Sequence, residues 1–248
     1  MTASLGWAVV TGAARRIGRA LALAAAQAGH DVVVHHRGGL AEAEETASAI
    51  RELGRQARLY AADLTEAGTA QALFATAGEP VTLLVNSASR FDDDRIASLT
   101  HEGWDATLAA NLRAPVFLAQ AFATALPPGR SGLIVNIVDQ RVWRLTPQFF
   151  SYTLSKAALW TATQTLAQAL APRIRVNAIA PGPTFASRHQ SAATFAAEAA
   201  AIPLGRGPAV AEIGQALNYL IDATSVTGQM IAVDGGQHLA WRTPDVIE

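Results

Sequence analysis

Tyr152 and Lys156 stand four positions apart, and Asp139 lies thirteen positions upstream of Tyr152. On a helix, residues i and i+4 share a face, so a phenol and an ammonium at this spacing address one ligand. A free tyrosine, with a pKa of about 10, is ionised to only about one part in a thousand at neutral pH. A neighbouring lysine favours the phenolate and would make Tyr152 a usable acid or base. Asp139 follows the apolar run Leu133-Ile134-Val135-Asn136-Ile137-Val138, which places it at the end of a buried strand. A carboxyl, a phenol and an ammonium gathered in one place make proton-transfer chemistry.

A second cluster suits phosphate. Trp7-Ala8-Val9-Val10 leads into Thr11-Gly12-Ala13-Ala14-Arg15-Arg16-Ile17-Gly18, and a helical pattern follows. A strand that ends in a glycine turn at a helix N-terminus offers free N–H groups and the positive end of the dipole to an anion. Gly12 permits the turn, and Gly18 lets helix and sheet approach closely; a purely structural turn is the plainer alternative. The next apolar run ends in His35-His36-Arg37, and no Asp or Glu occurs between Val32 and Ala41. An acidic residue there would bind the ribose 2′-hydroxyl of NAD, whereas arginine accommodates a 2′-phosphate, so NADP(H) is favoured. His35 and His36 could ligate a metal, but no third ligand is near them in sequence, and no metal site is expected. Asp63, followed by Leu64, reads locally as a helix cap for Thr65 onward.

The elements that must carry these residues alternate. Apolar runs read as buried strands at Trp7–Val10, Val32–His35, Val81–Val85, Leu133–Val138, Ile174–Ala178 and Met230–Val233, with a weaker one at Arg58–Ala61. Helical patterns lie between them at Ile17–Ala28, Ala41–Leu53, Ala67–Ala77, His101–Leu126, Tyr152–Ala171 and Ala209–Ile221. This predicts an α/β fold, a Rossmann-type doubly wound parallel seven-stranded sheet with helices on both faces. A single domain is expected across 1–248, interrupted by a lid-like segment around 183–203 with a short helix near Ala192–Ala201.

Composition narrows the function classes. Half of the 248 residues are apolar, enough for a large core without staples. There are no cysteines, which removes thiolate catalysis, disulfides and cysteine metal sites. A net charge of -1 gives no electrostatic case for nucleic acid or an anionic membrane. No apolar run approaches the roughly 18 residues of a membrane span. The first strand begins too early to leave room for a signal peptide, so a cytoplasmic location is expected.

Taken together, these motifs resemble the short-chain dehydrogenase/reductase family. The resemblance rests on the Thr11–Gly18 turn, Asn86-Ser87-Ala88-Ser89 after the fourth strand, Asn111 in Ala110-Asn111-Leu112, Tyr152 with Lys156, Arg175-Val176-Asn177-Ala178-Ile179-Ala180-Pro181-Gly182, and the closing Val233-Asp234-Gly235-Gly236. It covers nearly the whole chain. It implies cofactor contacts at Gly12, Arg15, Arg16, Ile17, Gly18, His36, Arg37, Asp63, Leu64, Asn86, Ser87, Ala88, Tyr152, Lys156, Pro181, Gly182 and Thr184. It also implies that Asn111 holds a water in a proton relay to the lysine; the plainer reading is a polar residue that bends its helix. A homotetramer is implied as well.

Three departures from the general pattern point to one branch. Arg16 replaces the central turn glycine, Ser89-Arg90-Phe91 replaces a glycine segment, and Asp139 replaces the catalytic serine. All three look like the pteridine reductases, including the bacterial dihydromonapterin reductase branch. That resemblance implies an NADPH-dependent reductase acting on a C=N bond of a pterin. Its substrate residues would be Arg16, Ser89, Phe91, Asp139 and Tyr152, with Phe91 stacking the flat ring. Asp139 should then have a raised pKa or share its proton with Tyr152. An NADPH-dependent carbonyl or 3-oxoacyl reductase and a non-catalytic NADP-binding regulatory protein are the alternatives. Arg141, Trp143, Arg144, Phe185 and Arg188 are expected around the pocket, and the tail Trp241–Glu248 either packs on a neighbouring subunit or frays.

Overall fold

The computed structural model describes residues 4–77, 80–187 and 190–241. Its elements run β1 (Trp7–Val10), α1 (Arg16–Gln27), β2 (Asp31–His36), α2 (Leu40–Glu52), β3 (Ala57–Ala61), α3 (Thr69–Ala77), β4 (Val81–Asn86) and α4 (His101–Leu108). A π-helical segment (Ala109–Arg113) joins α4 to α5 (Ala114–Ala125). Then come β5 (Gly132–Ile137), a 3-10 turn (Gln140–Val142), α6 (Phe150–Leu170), β6 (Ile174–Pro181), α7 (Ala192–Ala200), α8 (Val210–Asp222), β7 (Met230–Val233) and a second 3-10 turn (Gln237–Leu239).

The seven strands form one sheet in the order β3-β2-β1-β4-β5-β6-β7, and every pairing is parallel. The chain winds outward from β1 in one direction and from β4 in the other. A crevice at the carboxyl ends of the strands is expected where the winding reverses, between β1 and β4.

Alternation within each strand explains the continuous apolar runs. Ala8, Val10, Val32, Val34, Leu83 and Val85 enter one core with Leu21 of α1 and Ile213 and Leu217 of α8. Trp7, Val9, Val33, Leu84 and Ile134 enter the other, with Leu73 of α3 and Leu118 and Phe122 of α5. Successive side chains point to opposite faces, and both faces are covered, so nearly every strand residue is apolar.

Two expectations are corrected. The helix expected over His101–Leu126 is broken by the π segment that contains Asn111. Asp63 caps no helix: its Oδ1 accepts from Thr65 N at 2.9 Å and Thr65 Oγ1 at 2.7 Å, closing a local turn, and α3 starts only at Thr69. Among the described residues no helix is long and apolar enough to cross a membrane.

Candidate active site

The glycine turn is built for close approach. Gly12 has φ 65, and a Cβ there would lie 3.0 Å from Ala88 Cα. A Cβ on Gly18 would sit 2.1 Å from the Gly12 carbonyl oxygen, so α1 meets the turn only through glycine. Thr11 Oγ1 accepts from Ser87 N at 2.9 Å and Ala88 N at 3.0 Å, binding the end of β4 to the end of β1.

His35 clips the turn from the other side. Gly12 N donates to His35 Nδ1 at 3.1 Å, so the ring proton is on Nε2, which faces the Ala62 carbonyl at 3.1 Å. Burial holds this imidazole neutral, with its pKa lowered to about 4. The metal alternative therefore gives way to a structural one, and the described residues contain no cluster of metal-ligating side chains.

Beside it, His36 is buried and its Nε2 has no hydrogen-bond partner. Arg37 is exposed and lies 3.5 Å from Asp63, whose carboxyl is held below its usual range first by Thr65 and then by Arg37. An exposed guanidinium and a turn that excludes Cβ atoms suit an anionic nucleotide. Arg15 is spent on an exposed pair with Glu42 at 3.6 Å. Ile17 and Leu64 pack against the two cores.

Arg16 occupies a left-handed backbone, φ 55, where the resembled turn carries glycine. Such a conformation costs a non-glycine residue about 1–2 kcal/mol. Its side chain does not lie along the turn. Nη1 donates to the Ala186 carbonyl at 3.2 Å, and the guanidinium covers the Phe185 ring at 5.1 Å. Arg16 thus clasps the segment that leads to α7.

The acid–base residues meet at the ends of β5 and α6. Tyr152 is third in α6, and its hydroxyl donates to Asp139 Oδ2 at 2.9 Å. Asp139 Oδ1 accepts from Arg141 N at 2.8 Å, which starts the 3-10 turn after β5. Desolvation raises the Asp139 carboxyl above its usual range against the pull of the Arg141 N–H, the Arg141 charge, Tyr152 and Lys156. This is the raised acid that the sequence led us to expect.

Lysine tuning of the phenol is corrected. The Tyr152 phenol is pushed well above 10, by burial and then by Asp139. Lys156 Nζ donates to the Ile137 carbonyl at 2.7 Å and stands 5.6 Å from the tyrosine ring centre. Burial lowers Lys156 itself to about 8. The structure therefore holds a protonated phenol on a reluctant carboxyl.

The Asn111 side chain ties two segments together. Its Oδ1 accepts from Arg90 N at 2.7 Å and Ser89 Oγ at 3.2 Å. Its Nδ2 donates to the Arg90 carbonyl at 2.9 Å and to Ser155 Oγ at 3.0 Å. An amide side chain has two donor hydrogens and two acceptor sites, so the Asn111 side chain is fully engaged within the protein. Asn111 fastens the Ser89–Arg90 segment to α6. Asn86 braces the sheet, donating to Asn136 Oδ1 at 2.8 Å, while Asn136 donates to Thr163 Oγ1 at 2.9 Å.

Phe91 meets Tyr152 edge-on, with ring centres 4.6 Å apart. One face of Phe91 stacks on Phe149 at 4.3 Å and 15°, and Arg141 lies over the Phe149 ring at 5.2 Å. Phe149 was not singled out from the sequence; its signal is an aromatic directly before a catalytic helix. Trp143 packs on His238 at 5.0 Å, and Arg144 is exposed. At the far side Pro181 ends β6, Gly182 N donates to the Val233 carbonyl at 2.9 Å, and Thr184 Oγ1 donates to the Gly182 carbonyl at 3.0 Å. Arg188 and residues 242–248 lie outside the described residues.

The chain is similar to several known proteins. A family model described as enoyl-(acyl carrier protein) reductase matches residues 12–238. A curated short-chain type dehydrogenase/reductase of Picea abies is 32% identical, covering 93% of this chain and 91% of its own. The 3-oxoacyl-[acyl-carrier-protein] reductase FabG of Aggregatibacter actinomycetemcomitans is 34% identical over 92% of this chain and 97% of its own. Among solved structures, FolM alternative dihydrofolate reductase 1 of Brucella suis, in complex with NADP, is 48% identical with a TM-score of 0.94, over 99% of this chain and 100% of that one. Its Brucella canis counterpart, also complexed with NADP, is 49% identical with a TM-score of 0.94 over 98% of both chains.

Proposed function

Because the chain belongs to the short-chain dehydrogenase/reductase family, we propose that it is an NADPH-dependent reductase of a C=N bond in a pterin, of the dihydropterin-to-tetrahydropterin type. The observation that carries this reading is the 2.9 Å hydrogen bond from Tyr152 to a desolvated Asp139, with the Phe91 ring set edge-on against Tyr152. Reducing C=N requires a hydride at carbon and a proton at nitrogen. When bound, NADPH supplies the hydride. Asp139 and Tyr152 hold the proton as one coupled pair and give it to the substrate nitrogen. Phe91 and Phe149 offer a flat apolar surface for a flat heteroaromatic ring.

The cofactor would be held by the Gly12–Gly18 turn, by Arg37 and His36 at the 2′-phosphate, and by Lys156 and the 181–184 segment toward the nicotinamide end. The likeness to NADP-complexed Brucella proteins supports NADP(H).

A carbonyl or 3-oxoacyl reductase is the second reading, supported by the likeness to FabG. Asp139 argues against it, since a ketone reductase of this family needs only a hydroxyl to hydrogen-bond the carbonyl oxygen, whereas this site pairs the phenol with a carboxyl. Retention of both Tyr152 and Lys156 argues against a purely regulatory NADP-binding protein. Steady-state NADPH oxidation separates the readings. A dihydropterin, free or as a dihydrofolate, should be consumed far faster than a 3-oxoacyl thioester. The reverse preference would overturn the proposal, and tight NADPH binding without turnover of either would favour the regulatory role.

A further inference from the structure

The segment from Ser89 to Asp94 is fastened to α6 at two points that bracket Tyr152. At the first, Asn111 grips Ser89 and Arg90 and reaches Ser155 Oγ, whose hydroxyl donates to the Tyr152 carbonyl at 2.7 Å. At the second, Asp94 meets the start of the helix. Its Oδ1 and Oδ2 lie 3.1 and 3.4 Å from Ser151 N, and its carbonyl accepts from Phe150 N at 3.1 Å. Phe91 lies between these two fastenings.

The second fastening solves a problem that α6 cannot solve locally. The first N–H groups of a helix have no partner within it and need acceptors from elsewhere. A short polar side chain at the N-cap usually supplies one. Here the N-cap position is Phe149, which makes no side-chain cap bond and has φ 53, ψ 52. The acceptors come instead from a residue 57 positions away in the chain. A left-handed conformation at a bulky residue persists only where the surroundings over-determine it. Asp94, holding the two residues that follow Phe149, supplies that constraint. The outcome is the Phe149 ring laid flat on Phe91, 4.3 Å away.

We infer that Asp94 is a positioning residue that locks the Phe91–Phe149 wall and Tyr152 into one unit. It touches no reacting atom. It acts through the first turn of α6 and through the backbone of Phe149. The inference rests on the proposed function only for the identity of the ring held against the wall; the coupling to Tyr152 applies to any substrate protonated there.

The test compares Asp94→Ala and Asp94→Asn in the full chain. Three quantities are read: kcat and KM for a dihydropterin and for a ketone, NADPH affinity, and amide hydrogen exchange at residues 150–152. Misplacement of a reacting group by about 1 Å can cost about 10²-fold, so Asp94→Ala should lower kcat/KM by about 10- to 100-fold. The loss should be shared between a higher KM and a lower kcat, with NADPH affinity unchanged and amide protection gone at Ser151, whose partner is the carboxylate. Asparagine keeps an oxygen for Ser151 N and should restore kcat/KM to within about threefold. Unchanged kinetics in Asp94→Ala, a loss confined to NADPH affinity, or failure of asparagine to rescue would overturn the inference. If the alanine variant does not fold, Asp94→Ser replaces it, because serine is too short to span the same gap. A parent that reduces ketones but not dihydropterins refutes the pterin reading alone, and the ketone kinetics and exchange data still decide the role of Asp94.

Discussion

Asp139→Asn isolates proton supply from architecture. Asparagine is nearly isosteric, but its single carbonyl oxygen replaces two, one accepting from the Tyr152 hydroxyl at 2.9 Å and the other from Arg141 N at 2.8 Å, so one of these bonds is lost. The exchangeable proton disappears with it. Were Asp139 only a hydrogen-bond partner, the loss would be that of one net bond, about 1 kcal/mol, or about fivefold in rate. A positioned general acid contributes about 10²–10⁴-fold, equivalent to about 3–5 kcal/mol of barrier. Stopped-flow or steady-state NADPH oxidation with a dihydropterin separates these ranges, with NADPH affinity as the control. The pH profile adds a second criterion. Desolvation raises the Asp139 pKa, so its acid form survives above the usual carboxylate range and is lost as pH climbs through the raised value. Parent turnover should therefore fall on the alkaline side of that value, and the same limb should be missing from the variant. A variant within about fivefold of the parent, with the same pH limb, would refute proton supply by Asp139.

Three further predictions concern burial and charge. Lys156 has a folded pKa near 8 against 10.5 in the free side chain, so stability is lost as pH falls from 10.5 to about 8, and the fold carries that cost at neutral pH. Lys156→Met should abolish turnover yet stabilise the cofactor-free protein by about 2 kcal/mol, after about 1 kcal/mol for the lost bond to Ile137. A lower melting temperature for that variant at pH 7 would refute the argument. His30 and His35 both fall to about 4 through burial, so the unfolded chain takes up protons first and stability is lost as pH falls from 6.5 through about 4. Urea unfolding should show a loss of about 2–3 kcal/mol for each histidine between neutral pH and pH ~4.5, and a His30→Gln/His35→Gln double variant should flatten it. Arg37→Ala should weaken NADPH binding by about 10- to 100-fold and leave NADH binding unchanged, as expected for one charge-assisted contact; equal effects on both cofactors would show that Arg37 does not face the 2′-phosphate.

The sheet was legible in the sequence because both of its faces are covered, which turns each strand into an unbroken apolar run. The sites at strand ends followed from that. Asp139, Gly12, Asn86 and Arg37 all lie at the carboxyl ends of β5, β1, β4 and β2, where sequence order and spatial order coincide. What escaped were features set by partners distant in the chain. The helix of Tyr152 was expected to begin at Tyr152, but it begins at Phe150 because Asp94 receives its first amides. The full bonding of Asn111 depends on Ser89, Arg90 and Ser155, which no local pattern connects. The direction of the Tyr152 shift was missed for a related reason. Helical spacing places Lys156 on the same face as the phenol, but it does not show that the ammonium is committed to Ile137.

The π segment between α4 and α5 contains one residue more than an α-helix would accommodate at that point. Because each helical residue turns the chain by about 100°, such a surplus rotates everything on one side of it relative to the other. Deleting a single residue from 109–113 would bring α4 and α5 toward one regular helix, interrupted only where Pro115 lacks an N–H. It would also turn Asn111 away from Ser89 and Ser155. At this point the regular helix and the site make opposite demands on chain length, and the protein has the length the site requires. An insertion or deletion here should therefore be silent in overall helix content and decisive for catalysis.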